Sequence, residues 1–360
     1  MASEQVQPYA GQTEVVPNGA ASQGDGGGAP DPGAAPRGRS SVVPILRTTF
    51  YKLRRLAAVL LLVTFATFAL LDLLPGDPAV AIVGEGGTPE QIERVRQDLE
   101  LDRPMPVRYV SWLGDVATGD LGRSHRTGQP VWQAIEQRLP VSLQLMAVAQ
   151  ILALAFALPL GIAAAYRPGS FLDRASMGSG YALVAMPPFI LGMLLIVIFS
   201  GWLGVLPATG FVRVSGDLWG NFRTSLLPSV TLAAGLMAVY QQLLRADMIL
   251  TLQKDYVLMA KAKGLRTWHI LLRHALRPSS FSLVTLAGLN MGRLIGGSVI
   301  VEVLFAIPGI GQLMVQSIYT RDFIMLQGLI LLVSVAYVAI NMLVDLLYTI
   351  LDPRVRPNAS

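Results

Sequence analysis

Apolar positions along this chain fall in long, nearly unbroken runs rather than at every second position or along one helical stripe. Five runs carry few or no charges: residues 56–74, 141–166, 175–199, 226–250 and 326–350. A sixth, 281–304, is apolar apart from Arg293 and Glu302. Each is long enough to cross a hydrocarbon core of about 30 Å as a helix, which satisfies its own backbone polar groups where water cannot. The pattern therefore predicts an all-α membrane protein with six transmembrane helices. Between the first two runs, residues 75–138 turn polar and predict a small helical segment. Thr88 and Gln91 stand as a capping box around a helix opening on Pro89, with Ile92, Val95 and Leu99 along one face. A second short helix is expected from Pro106 to about Ala117, and a third from Pro130 leading into the second run.

The organisation that follows is a first span within 46–74, the polar segment 75–138, a transmembrane bundle over 139–352 and a short end at 353–360. Residues 1–45, rich in Gly, Ala, Pro, Ser and Gln, cannot bury enough surface to offset chain entropy and are expected as a disordered tail. Basic residues precede the first run and no small-residue cleavage site follows it in LLDLLPGDP, so it reads as a retained anchor.

Charge sets the orientation. Arg47, Lys52, Arg54 and Arg55 precede the first run, Arg167 and Arg174 join the second to the third, a basic stretch joins the fourth to the fifth, and Arg354 and Arg356 follow the last. With six spans all four groups lie on one side, which the positive-inside rule makes cytoplasmic, together with both termini. Residues 75–138 hold ten acidic against seven basic residues, as an external segment permits. The pI near 9.6 then reflects inner loops and contact with membrane lipid, not nucleic-acid binding.

Most catalytic chemistry is missing. The chain has no cysteine, hence no disulfide, thiolate metal site or thiol nucleophile. Its three histidines, His125, His269 and His274, fall outside the runs, and on an α-helix the last two point about 140° apart, which argues against a shared metal face. No GxxxxGK(S/T) loop occurs, so the chain does not cradle nucleotide phosphates itself. Ionisable residues in or near the runs are Asp72, Arg245, Asp247, Arg293, Glu302 and Asp345; those near run ends fit pairing or snorkelling, whereas Arg293 should face protein or water. Pro159, Gly161, Pro187, Pro188, Gly235, Gly288, Gly296 and Gly297 inside the runs allow kinks and close helix contact.

The stretch DYVLMAKAKGLRTWHILLRHALRP, residues 255–278, departs from this oily background. On one helix Ala260 and Gly264 would lie four apart and form a small-residue notch that a bulky residue would fill, ringed by Lys254, Lys261, Lys263 and Arg266. Leu271, Leu272 and Ala275 continue an apolar side. From the residues alone this is equally a helix lying on anionic lipid or one that docks a protein. Three functions stay open at that level: a subunit of an ATP-driven importer, an ion-coupled secondary transporter, and a membrane scaffold or receptor.

Ala260 and Gly264 occupy the third and seventh positions of the pattern E-A-A-x-x-x-G, with Leu258 and Met259 at the first two. Elsewhere LLPGDPA, GDLGRS, RLPVSLQL and VEVLFAIPGIGQLMVQSIYTRDFIMLQG follow in order. On these stretches the chain, from about residue 50 to 356, resembles the permease subunits of ABC importers of the dipeptide, oligopeptide and nickel branch. The resemblance implies a type I importer permease fold in the cell membrane and a pore shared with a second homologous permease. It also implies two ATP-binding subunits that hold ATP and Mg, an extracytoplasmic solute-binding protein, and no cofactor or enzymatic site in this chain. Residues 255–278 would be the coupling helix, with Asp255, Tyr256, Ala260, Ala262, Gly264 and Leu265 at the ATPase contact, and residues 75–138 would help form the docking rim. Arg293 and Glu302 are the candidates for pore or gating roles, and short peptides or similar small solutes are the expected cargo.

Overall fold

A computed structural model describes residues 54, 57–69, 78–84, 86–98 and 100–351. The expected tails at 1–45 and 353–360, the edges of the first span with Asp72, and Leu99 lie outside the described residues. Every regular element described is helical.

A first apolar helix, α1, covers Ala57–Ala69. The outer segment follows as α2 (Pro78–Val83), α3 (Pro89–Asp98) and α4 (Met105–Thr118). The capping box is present: the Thr88 N–H donates to Gln91 Oε1 at 3.0 Å, and the Gln91 N–H to Thr88 Oγ1 at 3.3 Å. These bonds satisfy two donors that a helix start would leave orphaned. α4 lies on α1 through Tyr109, whose hydroxyl donates to the Leu61 carbonyl at 3.0 Å and whose ring meets Phe65 and Phe68 edge-on.

The expected third outer helix and second span are one continuous helix, α5 (Val131–Tyr166), so the boundary expected at 138–139 falls inside an element. Pro140 lies inside it without ending it. At about 1.5 Å per residue α5 is longer than a bilayer core is thick.

The third run departs most from expectation. It breaks into α6 (Phe171–Ala185) and α7 (Pro188–Trp202, its last seven residues in π-helical turns), which meet at 107°. Pro187 and Pro188 supply no backbone N–H, and Met186 and Pro187 are extended, with ψ of 123° and 135°. A residue preceding proline is pushed out of the α region, so two consecutive prolines stop one helix and start another.

α8 (Leu218–Leu252) opens on Asp217, whose carboxylate accepts from the N–H groups of Trp219 and Gly220 at 3.0 and 2.9 Å. A short helix, α9 (Asp255–Ala262), leads to α10, continuous over Thr267–Leu304 with π-helical turns at Ile270–Leu276. α11 (Ile310–Tyr319) and α12 (Phe323–Leu351) complete the chain.

The core is a seam between α5 and α8, which run side by side in the same direction. Ala149, Ala153 and Ala157, one helical turn apart on α5, are fully buried, as are Tyr240, Leu244 and Met248 of α8. Small residues on one partner and large ones on the other let two long helices approach closely without a void. A second cluster of Val131, Ala134, Ile135, Ile310, Leu313, Met325 and Leu329 joins the first turns of α5 to α11 and α12. There Ser124 donates to the buried Asp322 carboxylate, and Arg126 donates to the Thr320 carbonyl at 2.9 Å. α9 thus sits at one end of the bundle and α11 at the other, separated by the length of α10.

By length and composition α5, α8, α10 and α12 are each sufficient to cross a membrane, and the bent pair α6–α7 counts as a fifth span if taken together. α1 is a shorter apolar helix. Among the described residues the number of spans is therefore four or five, against the six expected.

Candidate coupling surface and translocation path

The basic stretch 255–278 is not one rod. α9 ends at Ala262; the Leu265 N–H donates to the Ala260 carbonyl at 3.3 Å and the Gly264 N–H to the Lys261 carbonyl at 2.9 Å, while Gly264 has φ +72°. This paired pattern closes a helix with a left-handed residue that satisfies carbonyls otherwise left open. Arg266, extended, then starts α10. Two expectations are corrected here. Ala260 and Gly264 share no helical face, because Gly264 lies past the helix end. Ala260 is 5% exposed and packs with Val257 and Ile270, so it tethers α9 to the base of α10 rather than lining an outward notch.

What faces outward is different. Asp255, Tyr256, Leu258, Met259, Lys261, Ala262, Lys263, Gly264, Leu265, Arg266 and Trp268 are all exposed, with Met259 at 61% and Trp268 at 68%. Tyr256, Leu258 and Met259 on α9, with Leu265 and Trp268 just beyond it, offer apolar side chains among three lysines and an arginine. Leu258, Met259 and Trp268 were not among the contact residues expected from the sequence. For Leu258 and Met259 the signal lay in the first two positions of the pattern, where apolar side chains stand in place of Glu and Ala; Trp268 lies beyond the pattern.

The histidine expectation is also corrected. Within the π-helical turns that open α10 a backbone bond spans five residues, which brings positions five apart over one another. His269 and His274 accordingly stand with ring centroids 5.6 Å apart. Among the described residues no group of three or more His, Cys, Asp or Glu is placed to hold a metal ion.

Just above α9, Arg245 of α8 forms a two-pronged pair with the buried Asp173 of α6, one prong from Nη2 to Oδ2 at 2.7 Å. Asp173 also accepts from the Gly169 N–H at 2.8 Å, and its own N–H donates to Ser170 Oγ at 3.2 Å. The α8 end that carries α9 is thereby clamped to the start of α6. Asp173 escaped the sequence reading, although Ser170 three residues before it carries the capping-box spacing.

Glu302 lies at the opposite end of the bundle and is wholly buried. Its carboxylate accepts from Ser142 Oγ at 2.7 Å and from the Gln312 N–H at 3.0 Å, while Ser142 Oγ accepts from the Ile310 N–H at 2.8 Å. The group serves as an N-terminal cap for α11 held by two other helices. A Cβ on Gly309 would collide with Glu302 and Ser142, and one on Gly311 would stand 2.5 Å from Val299 Cα. The glycines of AIPGIGQL are thus required by close approach, Gly309 to this carboxylate and Gly311 to the α10 backbone at Val299.

Arg293 is exposed, midway along the apolar run of α10, and lines a cavity of about 450 Å³ between α1, α10 and α12. The structure does not bring Arg293 and Glu302 together: they are nine positions apart, one at a cavity and the other inside the packing.

A helical bundle with several apolar spans, a basic helix at one end and a capped amphipathic helix at the other is the build of a multi-span membrane protein. The chain belongs to the family of binding-protein-dependent transport system inner membrane components, matched over residues 157–357, with the family's N-terminal membrane component matched over 45–146. A putative peptide transport system permease protein of Brucella abortus (strain 2308) is 41% identical over 298 residues, 83% of this chain and 95% of that one. The glutathione transport system permease protein of Pectobacterium atrosepticum is 39% identical over 305 residues, 85% of this chain and 97% of its own length. The dipeptide transport system permease protein DppB of Escherichia coli (strain K12) is 34% identical over 331 residues, 84% and 98% of the two chains. In fold the chain is similar to a solved chain of the inward-facing MetNI methionine ABC transporter, with TM-score 0.51 and 17% identity, covering 61% of this chain and 97% of that one.

Proposed function

We propose that this chain is the pore-forming permease of an ATP-driven importer for short peptides or similar small solutes. It crosses the membrane six times, counting the first apolar run as one span and α6–α7 as one broken span, with both termini in the cytoplasm. A second homologous permease completes the pore, an extracytoplasmic binding protein delivers the solute against the α2–α4 rim, and two ATP-binding subunits hold ATP and Mg below. Family membership supports the transport role, and the names of the relatives support peptides as cargo.

The observation that carries the coupling role is the exposed apolar and basic surface of α9 and the turn after it. Asp255, Tyr256, Ala262, Gly264 and Leu265 contribute to that surface, while Ala260 anchors it from behind. Apolar side chains held at the tip of a short, tethered helix fit a groove on a soluble partner, and the clamp of Arg245 on Asp173 passes the partner's motion into α6. Burying a Leu or Met side chain at such a contact contributes about 1.5–3 kcal/mol. Leu258→Asp together with Met259→Asp is therefore expected to weaken copurification of the ATP-binding subunits by roughly a hundredfold or more and to abolish ATP-dependent uptake, with the chain still present in the membrane. Full uptake and copurification by that double variant would refute the coupling role.

A further inference from the structure

The apolar run of α10 centres on residues 292 and 293, so Arg293 stands near the midplane of a bilayer that the run spans. About 15 Å of hydrocarbon separates that depth from either headgroup layer, beyond what a side chain can bridge by snorkelling from a helix end. Among the described residues Arg293 makes no hydrogen bond and no ion pair. Beside it the cavity is walled by Val59 and Val63 of α1, Gly296 of α10, and Ser334 and Tyr337 of α12. Its volume of about 450 Å³ lies in the range of small-molecule sites. Gly296 leaves open space, since a Cβ there would meet nothing within 4 Å.

A lone guanidinium at this depth calls for an anion. Lipid headgroups lie too far away, and lipid tails carry no charge. Glu302, nine positions along the same helix, is buried as the cap of α11, and Asp173 is paired with Arg245. An anion brought in along the path would meet that need. Arginine's planar fork matches a carboxylate in two parallel bonds, and apolar walls suit uncharged side chains next to it. Resting on the import reading above, we propose that this cavity is a transit site for the free carboxylate of the transported solute, taken by Arg293 while the walls of α1 and α12 hold the adjoining side chain.

The chain's lack of cysteine supplies the test. Gly296→Cys places one thiol in the cavity. The assembled importer, with its second permease, ATP-binding subunits and binding protein, is reconstituted in vesicles and treated with a sulfonate-bearing or a trimethylammonium-bearing methanethiosulfonate, and labelling is read as a mass shift of this chain. With Arg293 present the sulfonate reagent reacts faster, and Arg293→Met in the same background lowers the ratio of the two rates by roughly tenfold, the effect of one charge a few ångströms away. Trialanine with a free carboxylate slows labelling, and trialanine amide does not. Ser334→Cys repeats the measurement from α12 should Gly296→Cys fail to assemble. Reaction with neither reagent puts the cavity against lipid and overturns the proposal. Rates indifferent to reagent charge and to Arg293→Met also overturn it, by showing the guanidinium held by an acid of the second permease. ATP-dependent trialanine uptake by vesicles carrying the unaltered chain is measured in parallel. Uptake with charge-indifferent labelling removes only the site, whereas charge-selective labelling without uptake of any peptide removes the peptide reading.

Discussion

Gly264 offers a sharp test of how the coupling surface is made, because two explanations of the same residue predict opposite orders for the same pair of variants. A notch between helices tolerates substitution by size, so Ala should be milder than Asn. The structure gives a conformational requirement instead: φ is +72°, and a Cβ added there would meet no atom of this chain within 4 Å. The cost is therefore that of holding an L-residue in the left-handed region, about 1–2 kcal/mol for an ordinary side chain and less for Asn, whose short polar group visits that region readily. One to two kcal/mol is a factor of about 5–30 in the population of the closed turn. Gly264→Ala is expected to lower solute-stimulated ATP hydrolysis of the reconstituted importer by about that factor, Gly264→Asn by clearly less, and Gly264→Val by at least as much as Ala. The assay is ATPase rate against binding-protein concentration at equal amounts of assembled complex. Asn equal to or worse than Ala would refute the conformational account and restore the packing one.

Two further outcomes follow from the same geometry. Arg245→Met leaves Asp173 buried without its partner, a change that costs about 3–5 kcal/mol in buried pairs, and should lower the unfolding midpoint in detergent; Arg245→Lys should recover only part of it because an ammonium cannot make both bonds. Glu302→Gln keeps the size but cannot accept from both Ser142 and the Gln312 N–H as the carboxylate does. It is expected to cost about 1–3 kcal/mol and to speed amide exchange in α11 while leaving exchange in α9 unchanged.

Much of the architecture was legible because its causes are local. Long apolar runs become helices wherever they are buried or in lipid, and the capping box at Thr88 and Gln91 needs only residues three apart. The helix starting near Pro106 likewise formed within a residue or two of its expected ends. The resemblance carried by the stretch from Glu302 to Gly328 was equally readable, and the structure supplies its reason: Glu302, Gly309 and Gly311 share one tight cap, while Asp322 is buried against Ser124 and starts α12.

The candidate site was less legible, because its meaning depends on where a helix stops. Periodicity placed Ala260 and Gly264 on one face, whereas Gly264 terminates the helix and Ala260 turns inward. The α-helical angle separated His269 from His274, whereas the π-helical turns stack them. Two adjacent prolines marked a kink without revealing that α6 and α7 would meet at 107°.

By itself, then, the order of residues determined a helical membrane protein with a basic segment between its fourth and fifth apolar runs, since hydrophobic length and charge act within a few turns of chain. Only the tertiary structure decided that Arg245 finds Asp173, that Glu302 is buried as the cap of α11, and that Arg293 opens on a cavity. Those outcomes depend on which distant helices come into contact, and a charge becomes satisfied or left free only when its neighbours across the bundle are in place.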